Sequence, residues 1–214
     1  MMSEIILKKF KKREPILLEE IKKTFKKEKD NTINQYISVL NKLNIIKKFC
    51  DGIYYIPEDD KRFKNLEPSI LEAMEKKYLR NYSGFRTGAG LMNRYGFTNQ
   101  VSEYYEIISS KVSKNTRNRK VLKGNVIVSA PKFNLNKENY YYLIYAEILK
   151  NIKYSDLKKE ENVYKLKKLI NEFNLNQKKI KKILSYFKGN RLKYMHNLYE
   201  EVENYEITWK PWTV

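Results

Sequence analysis

Histidine and cysteine each occur only once in this chain of 214 residues, as His196 and Cys50. A single cysteine excludes a disulfide within the chain, and a single histidine excludes a zinc site with two histidine ligands. The sequence also contains no Cys-x-x-Cys, Gly-x-Ser-x-Gly or Gly-x-x-x-x-Gly-Lys-Ser/Thr motif, which are signatures of redox, hydrolytic and P-loop chemistry. We therefore expect no metal ion, no cofactor and no enzymatic activity.

Long apolar segments are missing as well. No run of about 18 apolar residues could form a membrane span, and residues 1–10 lack the apolar centre of a secretion signal. Hydrophobic residues still make up 42% of the chain, enough for a folded core. We expect a cytoplasmic protein that does not bind membranes.

Acidic residues are few relative to basic ones. The chain has 44 lysines and arginines and 25 acidic residues, which gives a net charge of +19. A field of this sign raises the local concentration of polyanions, so nucleic acid is the natural partner. The excess extends along the whole chain, and charge alone does not locate the binding face.

Residues 30–57 carry the most informative pattern, a helix followed by a tight hairpin. Apolar residues recur at helical spacing and predict one packed face: Ile33, Tyr36, Ile37, Leu40 and Leu43. Asp30 or Asn31 would cap the helix, which would begin near Thr32. Asp51-Gly52 predicts a type I′ turn between strands at 45–50 and 53–56.

Two further helical patterns precede this segment, at residues 3–10 and 17–25, with Pro15 between them. The order of three helices and a hairpin is that of a winged helix-turn-helix domain. Its third helix would read bases in DNA through the polar residues Thr32, Asn34, Gln35, Ser38 and Asn41, while phosphates would be bound by Lys42, Lys47 and Lys48. The alternative is a structural or protein-binding winged helix.

The rest of the chain predicts two further parts. The acidic segment 57–60 is typical of a linker, so we place a winged-helix domain at residues 1–59. Residues 60–152 mix helical patterns, at 68–78 and 135–152, with strand patterns at 104–110 and 125–129, which predicts a mixed α/β domain. Residues 153–214 carry three helical patterns and predict a helical bundle. The fold class expected for the whole chain is α+β.

Three other features in this part carry less information. Gly88 and Gly90 lie in a segment that favours a turn into a helix ending at Gly96 over a phosphate cradle. Glu200, Glu201, Glu203 and Glu206 form a dense acidic group, but residues 200, 201 and 203 point in different directions around a helix, which favours a solvated face over a Mg²⁺ site. A candidate second basic patch contains Lys111, Lys114, Arg117, Arg119, Lys120 and Lys123. It could contact phosphates, contact an acidic partner or form a solvated loop.

Two stretches resemble the AbiEi-type antitoxin family. The segments LNIIKKF (43–49) and GIYYIP (52–57) are similar to the family's wing, and SGF (83–85) through Leu91 to YGFTNQV (95–101) looks like its second segment. The similarity covers roughly residues 5–150. It implies an N-terminal winged helix that represses its own operon by binding DNA repeats, and a following domain that counteracts a nucleotidyltransferase toxin.

The expected function is thus a DNA-binding antitoxin and autorepressor of a type IV toxin–antitoxin (abortive infection) pair, with its own promoter repeats and the toxin as partners. Two alternatives remain open. One is a stand-alone winged-helix transcriptional regulator, and the other is a metal-dependent nucleic-acid enzyme that uses a winged helix for targeting. The sequence does not indicate the oligomeric state.

Overall fold

A computed structural model describes residues 2–63, 65–152 and 160–205. The protein is of the α+β class, as expected. It divides into two compact units, one of residues 1–80 with 120–126 and the other of residues 81–119 with 127–214. The first unit therefore extends past the expected linker at 57–60.

The first unit alternates short helices with a small sheet. Its elements are α1 (Met2–Lys9), β1 (Ile16–Leu17), α2 (Leu18–Thr24), α3 (Asp30–Lys42), β2 (Lys47–Cys50), β3 (Ile53–Tyr55) and α4 (Ile70–Met74), which continues as a π-helical turn (Glu75–Leu79). The strands form an antiparallel sheet in the order β1-β3-β2. The two-residue strand β1 was not predicted, because two residues are too few to show a strand period.

One apolar core holds the helices of this unit against the sheet. Its buried members come from α1, α2 and α3, from β1 and from the residues that flank the hairpin: Ile6, Ile16, Ile21, Phe25, Ile33, Ile37, Leu40, Ile46 and Ile56. Burying each aliphatic side chain of this size contributes about 1.5–3 kcal/mol. The core therefore fixes the orientation of α3, with its remaining sides directed outward.

The remaining described elements belong wholly or partly to the second unit. They are β4 (Gly84–Arg86), α5 (Gly88–Arg94), β5 (Tyr105–Ser109), β6 (Arg119–Val121), β7 (Val126–Ser129), α6 (Tyr140–Asn151), α7 (Glu160–Glu172), α8 (Gln177–Leu184) and α9 (Asn190–Asn204). The strands form a sheet in the order β4-β5-β7-β6. The end of the β6–β7 hairpin is grouped with the first unit, where Lys123 pairs with Glu67 and lies 4.7 Å from the centre of the Phe49 ring.

Helix α6 is the centre of a helical bundle, because α8 and α9 both pack against it and α9 also contacts α7. The predicted helices at 163–173, 177–187 and 191–203 are confirmed within a few residues at their ends. A division after residue 152 separates α6 from the helices it packs against. The core includes Tyr145 and Leu149 of α6 with Leu198 and Tyr199 of α9.

The Tyr145 hydroxyl gives a first testable prediction, because Tyr145 is fully buried and its hydroxyl has no hydrogen-bond partner among the described residues. Burial raises the pKa of this phenol, which stays neutral. Tyr145→Phe removes an unsatisfied polar atom and should raise the free energy of unfolding by about 1 kcal/mol. Urea denaturation followed by circular dichroism measures this change.

Tyr194 provides the matched control. Its hydroxyl donates a hydrogen bond to the Ile152 carbonyl at 2.7 Å, so Tyr194→Phe should lower the free energy of unfolding by about 1 kcal/mol. Equal destabilisation by both substitutions would show that the Tyr145 hydroxyl has a partner after all.

Candidate nucleic-acid interface

Helix α3 presents the outward face on which the predicted base-reading residues lie. Ile33, Ile37 and Leu40 are buried, whereas Asn34, Gln35 and Ser38 are exposed and Thr32 is half-buried. Residues spaced by three or four share a side of a helix, so the exposed amides and hydroxyl point away from the core. The helix has 13 residues and is therefore about 20 Å long.

The start of α3 differs from the prediction. Asp30 is the first helical residue and Lys29 occupies the cap position without a side-chain cap. The Asp30 carboxylate instead accepts from the Lys22 ammonium of α2 at 2.5 Å. The helix thus begins two residues earlier than expected, and this acidic group pairs with the neighbouring helix.

Two apolar residues of α3 also depart from the prediction of a single packed face. Tyr36 is 47% exposed and Leu43 is 63% exposed, and Val39 beside them is 51% exposed. The exposed side of α3 therefore consists of a polar face with an apolar flank. Such a flank can make van der Waals contact with methyl groups on the surface of a partner.

Asn41 has a structural role in addition to its place on α3. Its side-chain carbonyl accepts a hydrogen bond from the Lys48 amide at 3.1 Å. This bond ties the end of α3 to strand β2, so the oxygen takes part in holding the hairpin, while the exposed side chain of Asn41 remains one of the predicted base-reading groups. Asn44, which follows the helix with φ of 57°, turns the chain toward β2.

The hairpin turn is not of type I′. Only Gly52 has a positive φ, of 71°, whereas type I′ needs positive φ at both turn residues. A shift in the strand register lies between Lys48 and Cys50, and such an irregularity accommodates the different turn. Burial raises the pKa of the Cys50 thiol, which lowers the fraction present as the nucleophilic thiolate.

The three lysines predicted to bind phosphates have different surroundings. Lys42 is exposed and forms no ion pair with a described residue, whereas Lys47 is half-buried and its ammonium lies 3.4 Å from the Asn65 side-chain oxygen. The Lys48 ammonium pairs with Asp51 at 2.8 Å, and this hydrogen bond raises the Lys48 pKa. Lys42 is thus the most available of the three.

Sequence reasoning missed a second group of cations next to α3. Lys26, Lys27 and Lys29 lie in the segment between α2 and α3, are exposed, and form no ion pair with any residue that the structure describes. The segment KKEK at 26–29 could have indicated them, since three of its four residues are basic. They flank the N-terminal end of α3, where the helix dipole also favours an anion.

The residues of the predicted second basic patch have different surroundings. Lys123 is engaged by Glu67 and the Phe49 ring in the first unit. Lys114 and Arg117 line a pocket of about 570 Å³ in the second unit together with two carboxylates, Glu106 and Glu147. Lys111 and Arg119 are exposed, as is Lys120.

Glu147 is the one acidic group of the described residues that is deeply buried. Its carboxylate accepts from the Thr87 hydroxyl and from the Lys150 ammonium, both at 2.5 Å. Hydrogen bonds of this kind satisfy a buried charge. Glu147 therefore fastens the residue after strand β4 to α6.

The C-terminal carboxylates are not assembled into a site. Glu200 and Glu201 are exposed, and Glu203 pairs with Lys181 at 3.0 Å. Glu206 lies outside the described residues. Within the parts of the chain that the structure describes, no group of three or more histidine, cysteine or acidic side chains could hold a metal ion.

Comparison with known proteins gives no match, either to a protein-family model or to a curated protein. No helix in the described ranges is long and apolar enough to cross a membrane.

Proposed function

We propose that the first unit is a winged-helix module that binds double-stranded DNA, with α3 in the major groove and the β2–β3 hairpin beside the phosphate backbone. The observation that carries the proposal is the outward face of α3, where exposed Asn34, Gln35 and Ser38 stand between lysines that form no ion pair with described residues. Amide and hydroxyl groups match base edges, and lysines match phosphates.

The element order supports the same proposal. Helix, short strand, helix, helix and hairpin follow one another in the first unit, and the short strand pairs with the second strand of the hairpin. A winged helix has the same order of elements, which supports the proposal. The major groove, about 12 Å wide, admits one α-helix, and Val39 on the apolar flank suits a thymine methyl group.

Gln35 provides the test for base reading. A duplex selected by the protein from a random pool, and a scrambled duplex of the same composition, are the probes. Gln35→Ala should cost about 1–3 kcal/mol of discrimination at one base pair, because a bidentate amide contact is lost. Fluorescence anisotropy with single base-pair replacements measures this effect.

Lys42→Ala is the matched control on the same helix. It should weaken both duplexes alike and lower the salt dependence by about one ion, because a phosphate contact carries no sequence information. If Gln35→Ala also weakens the selected and the scrambled duplex equally, α3 does not read bases.

We further propose that the chain is the antitoxin and autorepressor of a type IV toxin–antitoxin pair and counteracts a nucleotidyltransferase toxin. This proposal rests on the sequence resemblance of residues 43–57 and 83–101 to AbiEi-type antitoxins, together with the DNA-binding face proposed for α3. A stand-alone regulator would share the DNA-binding face but not the protection against a toxin. Growth of cells that express the toxin distinguishes the two.

A further inference from the structure

A second pocket in the second unit has a volume of about 580 Å³ and shares Lys132 and Phe133 with the pocket that Glu106 and Glu147 line. It is lined by the segment after β7, the start of α6, and α8 with its flanking turns: Lys132, Phe133, Asn134, Asn139, Asn176, Lys178, Lys179, Lys182, Ile183 and Tyr186. Its volume falls within the range of about 300–1,000 Å³ that is usual for small-ligand sites. Lysines are prominent in this lining, and no acidic side chain of the described residues belongs to it.

Three of these lysines are available to a ligand. Lys132, Lys178 and Lys182 are exposed and form no ion pair with a described residue. Lys179, by contrast, is used in the fold, because its ammonium donates to the Glu138 carbonyl at 2.9 Å and lies 4.6 Å from the centre of the Tyr142 ring. Three uncompensated positive charges around one pocket favour an anion.

An aromatic surface borders the same pocket. The rings of Phe133 and Tyr186 lie 5.3 Å apart at an interplanar angle of 30°, and Phe133 also contacts Phe187. Phe133 thereby supports one side of Tyr186, while 47% of Tyr186 remains exposed. An exposed ring held by a second ring is suited to stack on a nucleobase, which contributes about 1–3 kcal/mol per base.

The polar lining adds groups for base edges and for phosphate. Asn134, Asn139 and Asn176 carry amides, although the Asn176 oxygen already accepts from the Lys179 amide at 3.3 Å. Lys178 and Lys182 are four residues apart and share one side of α8. Tyr186 lies in the turn just beyond α8, so the two lysines of α8 and the Tyr186 ring follow one another along the chain at the border of the pocket.

We propose that this pocket is a second nucleic-acid site that takes unpaired nucleotides of a single strand. The base stacks on Tyr186, and the adjacent phosphates bind Lys178, Lys182 and Lys132. Bases of a duplex are paired and stacked inside the helix, whereas unpaired bases are free to lie on an aromatic side chain. The site is independent of the face proposed for α3, so one can fail without the other.

The test uses the full-length chain with fluorescent oligouridylate and oligothymidylate of about eight nucleotides, in the presence of excess unlabelled duplex to occupy the first unit. Tyr186→Ala should weaken binding about tenfold, because one stacked base is lost, while Tyr186→Phe should bind as tightly as the unchanged chain. Lys178→Ala with Lys182→Ala should lower the salt slope by about 1.4 and the affinity about tenfold at about 0.15 M salt.

Lys188→Ala with Lys193→Ala is the matched control, since it removes the same charge from exposed lysines of the second unit that do not line the pocket. It should leave single-strand binding unchanged. Preference for the uridylate assigns the site to RNA, and equal binding of both oligomers assigns it to single strands of either sugar; both outcomes support the proposal.

Two results would overturn it. If Tyr186→Ala binds like the unchanged chain while the double lysine variant does not, the pocket is only a cationic surface, and competition by polyglutamate would then indicate an acidic protein partner. If uridine monophosphate binds but neither oligomer does, the pocket holds a free nucleotide and not a strand. Thermal melting of each variant verifies that these exposed substitutions leave the fold intact.

Discussion

Replacing Lys26, Lys29 and Lys42 together by alanine is expected to weaken binding to every DNA duplex roughly 100-fold at about 0.15 M salt. All three side chains are exposed, lie at the two ends of α3, and form no ion pair with a described residue. Each phosphate contact that is lost reduces the number of released counterions by about 0.9, so the salt slope should fall by roughly 2.7. Anisotropy titrations at several salt concentrations measure both quantities.

The matched control is the triple variant Lys188→Ala, Arg191→Ala and Lys193→Ala. It removes the same number of exposed cations from the second unit, so it lowers the net charge equally and leaves every residue of the first unit unchanged. If both triple variants weaken duplex binding to the same extent, the effect comes from net charge alone and α3 is not the DNA-binding helix.

A chain carrying Gln35→Ala and the three lysine substitutions should still restore full growth to cells that express the neighbouring nucleotidyltransferase, although it no longer represses its promoter. Both changes lie on the exposed side of the first unit, and none of the altered side chains is buried. Repression and protection should therefore separate. A reporter gene behind the promoter measures the first, and colony counts after toxin induction measure the second.

The comparison requires the full-length chain, because a cut near residue 60 would divide the first unit. Residues 61–80 and 120–126 belong to that unit, and Ala73, Met74, Tyr78 and Leu79 are buried in the intact chain. Exposing several such side chains costs an amount comparable to the whole stability of a domain, about 5–15 kcal/mol. Lack of protection by the unchanged chain would refute the antitoxin proposal and favour a stand-alone regulator.

The sequence predicted helices and the hairpin position well, because their signals are local. The spacing of apolar residues such as Ile33, Ile37 and Leu40 predicts α3, and Asp51-Gly52 predicts the position of a tight turn, although not its type. Strands β1, β4 and β6 were missed because strands of two or three residues show no period, and they lack the Asp-Gly turn that indicated the equally short β3. The grouping of residues 120–126 with the first unit depends on contacts far apart in the chain, such as Lys123 with Glu67, which no local pattern contains.

The candidate sites also differ in how far they depend on residues that are close together in the sequence. The exposed face of α3 follows from helical spacing, so Asn34, Gln35 and Ser38 could be predicted. Tyr36 and Leu43 were assigned to the core because they are apolar, but they lie at its margin and the small first unit leaves them exposed. The pocket near Tyr186 could not be predicted, since Lys132 and Phe133 are about fifty residues from Lys182 and Tyr186 in the chain.

The hydrogen bond from the Lys48 amide to Asn41 has a consequence for the entropy of binding. A second bond, from the Lys77 ammonium to the Asp51 carbonyl at 2.7 Å, holds the turn of the same hairpin. Helix and hairpin are thereby ordered before any partner arrives. A mobile hairpin would lose conformational entropy when it binds a partner, whereas this hairpin has already lost much of it on folding. More of the contact energy with a partner is therefore available as affinity.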